Sequence, residues 1–335
     1  MRAVVVERPG VYGVREVDPP QPGPGEVVVE VRAVGLCGTD VHIARGEFPP
    51  APYPLIPGHE FAGVVVARGP GVTEPPLGAR VAVDPTLACG ACEACREGRP
   101  NLCARWGAIG DTVAGALAER VAVPARQCYP LPPGLGWGEG ALVEPLACAV
   151  WAIRRARPHP GARALVLGGG TMGLLLVQLL RRGGAAQVVV VEPHPARREL
   201  AEGVGADLAL PPEADPRHEA PARDGFELVA DATGRPEVVA RGLGLVRRGG
   251  TFLVFGVAPP EATIPLSPYQ VYYGELTIVG SMAINQTFGA AVRLAPRLDL
   301  AALLAPPKAL EAYPEAIREF GRGPRPKQQL VPTQD

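Results

Sequence analysis

The chain has 335 residues, which suits two domains, and 47% of them are hydrophobic, enough for a sizeable core. The 33 basic and 34 acidic residues nearly cancel, so charge gives no reason to expect nucleic acid or an anionic membrane as a partner. No apolar run reaches the ~18 residues of a membrane span, and Ala3–Val6 is too short for a signal peptide. We therefore expect a cytoplasmic protein whose seven cysteines are reduced, so that clustered cysteines bind metal rather than form disulfides.

In chain order, the sequence divides into three zones. Residues 1 to about 150 hold short apolar runs between Pro and Gly turns, which indicates a β-rich domain. Residues 151–285 alternate strands with helices, which predicts a doubly wound parallel sheet and an α/β fold. Residues 286–335 look helical and finish in the apolar pair Leu330–Val331.

The central zone carries the clearest predicted elements. A polar, Pro-rich stretch at 211–224 is expected to be a surface loop. Strands are predicted at 163–168, 187–192, 207–210, 226–231 and 250–256. Helices are predicted at 171–183, 195–203 and 235–247.

A glycine-rich turn joins the first of these strands to the first helix. Gly168, Gly170 and Gly173 match G-x-G-x-x-G, in which the glycines permit a tight turn, close approach of a pyrophosphate and close helix packing. Thr171 and Met172 begin the helix whose N–H groups and dipole would bind the phosphates. The motif alone is weak in a chain with 42 glycines, but its position between strand and helix predicts a dinucleotide site.

An acidic residue favours NAD(H) as the cofactor. Glu192 stands about 20 residues beyond the motif, where an acidic side chain accepts hydrogen bonds from a ribose 2′-hydroxyl and repels a 2′-phosphate. A solvated loop charge is the alternative for Glu192. Arg197 and Arg198 lie just beyond and could reach a 2′-phosphate, so NADP(H) stays open.

Several residues at the ends of the later strands should also face the cofactor, because the carboxyl ends of parallel strands share one edge of the sheet. These residues are Asp231, Thr233, Gly234, Phe255, Gly256, Val257, Gly280 and Ser281.

Four cysteines cluster in the segment from about 86 to 106. Cys89, Cys92, Cys95 and Cys103 stand in CGACEACREGRPNLC, and C-x₂-C-x₂-C spacing wraps a tetrahedral zinc ion with little strain. The polar surroundings could not bury four ordinary cysteines. Since nothing implies an open coordination position or a base, we predict a structural zinc site.

A second set of possible ligands is scattered along the sequence. Cys37 stands in GLCGTDVH, His59 and Glu60 in PLIPGHEFAG, and Glu144 in ALVEPLA. One thiolate, one imidazole and one carboxylate would leave a fourth zinc position open for water or substrate, as a catalytic site requires. Spacing alone does not establish this site, because a lone cysteine or histidine is more often structural.

Together these motifs resemble the zinc-containing medium-chain alcohol dehydrogenase family, and most of all its polyol (sorbitol-like) and threonine dehydrogenase branch. CGTDVH, GHE, the four-cysteine segment, VEPLA and LGGGTMG occur in the family's order over nearly the whole chain. The resemblance implies a GroES-like catalytic domain formed by residues 1–150 and 286–335. It implies that residues 151–285 form an inserted Rossmann dinucleotide-binding domain.

The resemblance also assigns the metal ligands. Cys37, His59 and Glu60 would hold the catalytic zinc, and Glu144 would be a nearby carboxylate that can exchange with water as a ligand. The best-known alcohol dehydrogenases have a second cysteine where this chain offers glutamate, which points to the polyol and threonine branches. Two zinc ions per chain are therefore expected.

The same resemblance implies a route for the substrate's proton. Thr39 and His42 would relay the proton, and Asp40 would orient the zinc ligands. The substrate hydroxyl would first lose this proton through Thr39, the ribose hydroxyl and His42, and the resulting alkoxide would then pass a hydride to the nicotinamide of NAD. We expect a small-molecule secondary alcohol, such as a polyol or sugar alcohol, to be oxidised to a ketone.

Three alternatives remain open on the sequence. The chain could be a threonine 3-dehydrogenase, an NADP(H)-linked reductase of the same fold, or a non-catalytic nucleotide-binding scaffold or sensor. The family suggests a homodimer or homotetramer, and nothing in the sequence decides between them.

The remaining histidines and cysteines are expected to have no catalytic role. His159, His194 and His218 lie in polar turns and should be solvated. Cys128 and Cys148 should be buried as small apolar side chains.

Overall fold

The computed structural model describes residues 1–220 and 222–333. It contains two compact units, of which the first comprises residues 1–147, 284–323 and the segment from Lys327 onwards, and the second comprises residues 148–283 and 324–326. Pro221, in the predicted loop, and residues 334–335, in the predicted C-terminal zone, lie outside the described residues. No described helix is long and apolar enough to cross a membrane.

The N-terminal part of the first unit is mostly β-structure, because its valine-rich runs suit pleated, half-buried surfaces. Its strands are β1 (Arg2–Arg8), β2 (Val11–Glu16), β3 (Glu26–Gly35), β4 (Glu60–Arg68), β5 (Arg80–Val83), β6 (Thr86–Leu87), β7 (Gly107–Ala108), β8 (Arg120–Pro124) and β9 (Cys128–Pro130). Its helices are α1 (Gly38–Arg45), α2 (Glu93–Arg96), α3 (Trp137–Ala141) and α4 (Val143–Ala156), the last of which continues into the second unit.

The second unit alternates strands and helices. Its strands are β10 (Arg163–Leu167), β11 (Gln187–Val191), β12 (Leu208–Leu210), β13 (Phe226–Asp231), β14 (Val246–Val254) and β15 (Thr277–Gly280). Its helices are α5 (Thr171–Arg182), α6 (Pro195–Gly203), α7 (Pro216–Glu219), α8 (Pro236–Leu243) and α9 (Pro268–Gly274).

The C-terminal part returns to the first unit with short elements. These are α10 (Phe288–Leu294), β16 (Lys308–Ala309), α11 (Tyr313–Arg318) and β17 (Gln329–Val331). Single 3₁₀ turns in the chain are Pro100–Leu102, Ala125–Gln127, Ala295–Arg297, Ala301–Leu303 and Leu310–Ala312.

The main sheet of the first unit brings distant segments together. Its strand order is β16-β17-β3-β4-β5-β9, and β8 also pairs with β3. Strand β17 runs antiparallel to β3 with Gln329 opposite Gly35. On the other side of β3, Gly35 lies opposite Glu60 of β4. The residues just before β17, just after β3 and at the start of β4 therefore lie side by side.

The sheet of the second unit is parallel throughout, with the order β12-β11-β10-β13-β14-β15. The order reverses between β10 and β13, and ligands of such sheets bind at this switch point, beyond the carboxyl ends of the strands. Valines, leucines and phenylalanines such as Val189, Leu165 and Phe252 fill its core. The predicted α/β class, with a β-rich domain and a doubly wound sheet, is thus confirmed.

Some predicted elements differ from those observed. The helix predicted at 235–247 ends at Leu243, and Val246 already belongs to β14. The register between β13 and β14 shifts between Phe226 and Leu228, so β14 begins at Val246 with an irregular stretch, ahead of the strand predicted at 250–256. The predicted loop at 211–224 contains α7, and the predicted helical zone after 286 also contains β16 and β17.

Candidate active site

The four clustered cysteines form a group whose Sγ atoms all lie within 4.8 Å of one another. The Sγ atoms of Cys89 and Cys95 are 4.0 Å apart, and those of Cys92 and Cys103 are 3.9 Å apart. A tetrahedral zinc ion with four bonds of about 2.3 Å needs sulfurs about 3.8 Å apart. The group therefore fits a zinc ion with a closed coordination shell.

Backbone N–H groups surround these sulfurs. The N–H groups of Ala91 and Cys92 lie 3.4 and 3.3 Å from Cys89 Sγ, and hydrogen bonds from them lower the pKa of Cys89 to about 5. Burial, followed by the neighbouring sulfurs, raises the pKa of Cys95 to about 12. Four adjacent thiolates repel one another, so the group requires a cation to exist fully deprotonated.

The scattered ligands also meet in space. Cys37, His59 and Glu60 each offer an atom within 4.8 Å of the other two, and this is the second of two such groups among the described residues. Cys37 precedes α1, while His59 and Glu60 stand at the start of β4. Glu144 in α4 lies outside the 4.8 Å group, although its carboxyl is buried and close enough to His59 and Glu60 to feel their charges.

Two buried carboxylates orient these ligands. Asp40 accepts hydrogen bonds from the backbone N–H groups of Cys37 at 2.8 Å and of Gly58 at 3.2 Å. Asp111 Oδ1 lies 3.0 Å from His59 Nδ1, which leaves Nε2 of His59 for a metal. Burial alone would lower the pKa of His59, but Asp111 and Cys37 raise it well above its ordinary value. The sequence analysis did not identify Asp111, because none of the motifs includes it.

A buried lysine completes the surroundings of Glu60. Lys327 Nζ donates hydrogen bonds to Glu60 Oε2 and, at 2.9 Å, to the carbonyl oxygen of Leu36. Burial alone would lower the pKa of Lys327, but Glu60 and Cys37 raise it, so the ammonium stays charged. This residue was also missed, because its neighbours RPKQQL resemble an ordinary polar loop.

The pKa of Glu144 distinguishes it from the other carboxylates. Burial above all, together with the charges on Glu60 and Asp111, raises this pKa to about 8 against the opposing effects of His59 and Lys327. Without a metal, Glu144 is therefore mostly protonated at neutral pH. A nearby cation would favour its ionised form.

Thr39 and His42 lie on α1, one turn apart. Thr39 Oγ1 is 3.8 Å from Cys37 Sγ, beside the metal ligands. His42 is exposed, and its Nδ1 lies 2.8 Å from Glu47 Oε2, so its Nε2 can bind other partners. Thr39 thus lies beside the metal ligands and His42 lies at the surface of the same helix.

The glycine turn of the second unit has the geometry that its motif predicts. Gly168 has a φ of +102°, at which a residue with a side chain would be strained. A Cβ on Gly173 would lie 1.9 Å from the carbonyl oxygen of Gly168, so α5 can begin only against a glycine there. A Cβ on Gly170 would meet open space, so this turn has room for a pyrophosphate beside the half-buried Thr171 and Met172.

Glu192 is not a solvated loop charge. It is buried, and its two carboxylate oxygens accept hydrogen bonds from the N–H groups of Gly169 at 2.7 Å and His194 at 2.9 Å. Arg198 donates to the carbonyl oxygens of Glu192 and Pro193, and Arg197 is buried. The carboxylate is thus fixed beside the glycine turn.

The end of β13 forms a second fixed turn. The carboxylate of Asp231 accepts hydrogen bonds from both the N–H and the hydroxyl of Thr233, at 3.0 and 2.6 Å, and from the N–H of Gly234 at 3.1 Å. The N–H of Gly256 donates to the carbonyl oxygen of Asp231 at 2.8 Å. Thr233 also lies beside the glycine turn, since a Cβ on Gly168 would be 2.8 Å from its Cγ2 atom.

Two further predicted cofactor residues follow β14 and β15. Val257 is 87% exposed, directly after Gly256. Ser281 donates its N–H to Val254 at the end of β14. Both therefore lie at the carboxyl edge of the parallel sheet, as does Gly280 at the end of β15.

The remaining histidines and cysteines partly depart from expectation. His159 and His218 are exposed, but His194 is half-buried because its backbone is fixed by Glu192 at the start of α6. Cys128 and Cys148 are only half-buried.

Comparison with known proteins agrees with this geometry. The family described as "Alcohol dehydrogenase GroES-like domain" matches residues 23–133, and the family described as "Zinc-binding dehydrogenase" matches residues 171–297. D-arabinitol dehydrogenase 1 from Uromyces fabae is 36% identical over 301 residues, covering 87% of this chain and 85% of that protein. L-threonine 3-dehydrogenase from Thermococcus kodakarensis is 37% identical over 276 residues, covering 79% of this chain and 77% of that protein.

A solved structure shows the same fold over the full length. A zinc-binding dehydrogenase from Sinorhizobium meliloti 1021, bound to NADP, superposes with a TM-score of 0.95 at 35% identity and covers 99% of both chains. With the two ligand groups and the glycine turn in place, these likenesses show that the chain belongs to the zinc-containing medium-chain alcohol dehydrogenase family.

Proposed function

We propose that this chain is a polyol dehydrogenase that oxidises a secondary alcohol to a ketone with NAD. The observation that carries the proposal is the group of Cys37, His59 and Glu60, which offers one thiolate, one imidazole and one carboxylate to a metal. Three protein ligands leave a tetrahedral zinc ion one open position for a substrate. With the four-cysteine group, we propose two zinc ions per chain.

We assign catalysis to the first unit and dinucleotide binding to the second. When bound, zinc supplies a Lewis acid that lowers the pKa of the substrate hydroxyl, and the nicotinamide supplies the hydride acceptor. Thr39 Oγ1, beside Cys37, is placed to take up the substrate's hydroxyl proton while it gives its own hydroxyl proton to the relay that ends at His42. His42, one turn further along α1, is exposed and can release a proton to water through Nε2 while Glu47 holds Nδ1.

The ligand types favour a polar substrate. A carboxylate in place of a second thiolate makes the metal site harder and more polar, which suits a substrate with two neighbouring oxygens. Ethanol offers one oxygen and little apolar contact. The relative from Uromyces fabae is named for its action on D-arabinitol, a polyol, which supports the same class of substrate. Threonine is a second candidate, because the relative from Thermococcus kodakarensis acts on it.

The substrate class is tested by steady-state kinetics on a matched panel. We expect kcat/KM with NAD to be highest for one or more vicinal polyols, lower for threonine and lowest for ethanol. A kcat/KM for threonine above that of every polyol would identify a threonine 3-dehydrogenase instead. Absence of turnover with all alcohols, by a protein that holds both zinc ions, would support a scaffold or sensor.

The preference for NAD over NADP is supported by Glu192. Its carboxylate is held by Gly169 and His194, yet carboxylate oxygens have about four lone-pair sites, so it can still accept from a ribose hydroxyl. The same fixed negative charge disfavours a 2′-phosphate. The NADP in the structure from Sinorhizobium meliloti belongs to that protein, so the preference needs its own measurement.

We expect Glu192→Ala to lower the ratio of kcat/KM for NAD to that for NADP by roughly 10- to 100-fold, the value of a hydrogen bond to a charged group. Glu199→Ala is the matched control, because Glu199 is exposed on the neighbouring helix α6 and should leave the ratio unchanged. If wild-type protein uses NADP as efficiently as NAD, the NAD assignment is wrong and an NADP(H)-linked reductase is favoured.

We also propose that the chain assembles as a homodimer or homotetramer. Strand β15 forms one edge of the six-stranded sheet and carries no charge or proline to discourage pairing. The second unit also exposes Tyr272, Tyr269 and Ile278, at 81%, 66% and 40%. Apolar exposure of this kind is typical of an interface. Light scattering on the native protein distinguishes the two assemblies from a 34.9 kDa monomer.

A further inference from the structure

The sequence contains two lysines, Lys308 and Lys327, and they occupy opposite environments. Lys308 is on the surface and pairs with Glu315 and Glu319. Lys327 is 3% exposed and forms its ion pair with Glu60, which is 2% exposed. Burying a charge this deeply costs desolvation free energy unless the charge has a partner. The position of Lys327 therefore indicates a role other than keeping the surface soluble.

The backbone around Lys327 is fixed from both sides. Its N–H donates to Leu303 at 3.1 Å, and its carbonyl accepts from Ala305 at 2.9 Å. The next residue, Gln328, accepts a hydrogen bond from the N–H of Leu36 at 3.0 Å. The ammonium is therefore held against the backbone immediately before the ligand Cys37.

The conformation of the Glu60 side chain brings its carboxylate to the ammonium of Lys327. A Cβ on Gly35 would lie 2.4 Å from Glu60 Oε2, so the carboxylate folds over a position where only glycine fits. Lys327 Nζ donates a hydrogen bond to Glu60 Oε2 and a second one to the carbonyl oxygen of Leu36. With one oxygen engaged in this way, the other oxygen of Glu60 is left for a metal.

Charge balance points in the same direction. With a divalent metal bound, the thiolate of Cys37 and the carboxylates of Glu60 and Glu144 still carry more negative charge than the metal offsets, and the buried Asp40 and Asp111 add to this excess. Lys327 supplies a buried positive charge that offsets part of it. Without this charge, Glu60 would be freer to bind the metal with both oxygens and fill the position that a substrate needs.

We propose that Lys327 is a positioning residue, which restricts Glu60 to one metal-binding oxygen and thereby keeps the substrate position open. The inference rests on the zinc site of the proposed function. A positioning role of Lys327 predicts one result that a purely structural ion pair does not. Removing the lysine charge should make the metal bind more tightly while the enzyme turns over more slowly.

The test compares Lys327→Met with Lys308→Met, the same change at the exposed lysine. The measurement is the rate at which a chelator removes the zinc ion from the Cys37 group. This zinc ion is identified as the one that the Cys37→Ala variant lacks. We expect this rate to fall at least about tenfold in Lys327→Met, because a positive charge close to the metal is gone. Polyol kcat should fall at the same time, and Lys308→Met should match wild type in both.

A second variant guards against a folding defect. Lys327→Gln removes the charge but keeps hydrogen-bond donors for Glu60 and Leu36, and it should also slow zinc loss. Zinc loss that is unchanged or faster in the folded variants, or failure of both to fold, would show that Lys327 serves only the fold. If wild-type protein holds no zinc at the Cys37 group, the proposed function itself fails. If wild-type protein holds this zinc and only the lysine variants depart from expectation, the inference about Lys327 fails and the proposed function stands.

Discussion

Cys37→Ala is expected to lose one of two zinc ions and to lower kcat/KM for the alcohol by on the order of 10³-fold or more, since metal activation of an oxygen contributes several kcal/mol. Loss of Cys37 leaves only His59 and Glu60 of the three-ligand group. The fold should persist, because Asp40 caps α1 through the backbone N–H of Cys37, which the substitution retains.

The matched control for this variant is Cys128→Ala. Cys128 is a half-buried thiol outside both ligand groups, so its loss should leave two zinc ions and full activity. Elemental analysis of protein never exposed to a chelator gives the zinc content, and turnover with NAD gives the activity. A Cys37→Ala protein that keeps both zinc ions, or that keeps wild-type turnover with one, would show that the active site has been placed wrongly.

Cys95→Ser is expected to lose the other zinc ion and to lower the melting temperature by about 10 °C or more, because a structural zinc ion contributes folding free energy directly. Helix α2, which carries Cys95, buries none of its residues, so the segment has no apolar core of its own to replace the metal. Turnover per folded molecule should remain close to that of wild type.

Cys128→Ser is the control, because it makes the same chemical change outside the metal groups. Differential scanning calorimetry gives the melting temperature, and zinc analysis shows which site was emptied. The opposite pattern, in which Cys95→Ser melts normally but has no turnover, would mean that the four-cysteine group takes part in catalysis rather than in stability.

Local motifs were predictable from the sequence because their geometry is set within one turn of chain. The G-x-G-x-x-G spacing fixes a strand, a turn and a helix start, and Gly168 and Gly173 have the conformation and packing that this spacing requires. The four cysteines likewise lie within one short segment, so their meeting needs no long-range contact. The alternation of strands and helices fixed the doubly wound sheet in the same way.

Strand pairing decided what the sequence could not. Lys327 and Glu60 are 267 residues apart and meet because β17, β3 and β4 lie side by side in a defined register. Asp111 also reaches His59 through a nonlocal contact, although over a much shorter stretch of chain. No periodicity marks such partners, since their contact depends on the packing of the whole sheet. The sequence by itself determined which chemistry is available, and the tertiary structure decided which buried charges orient it.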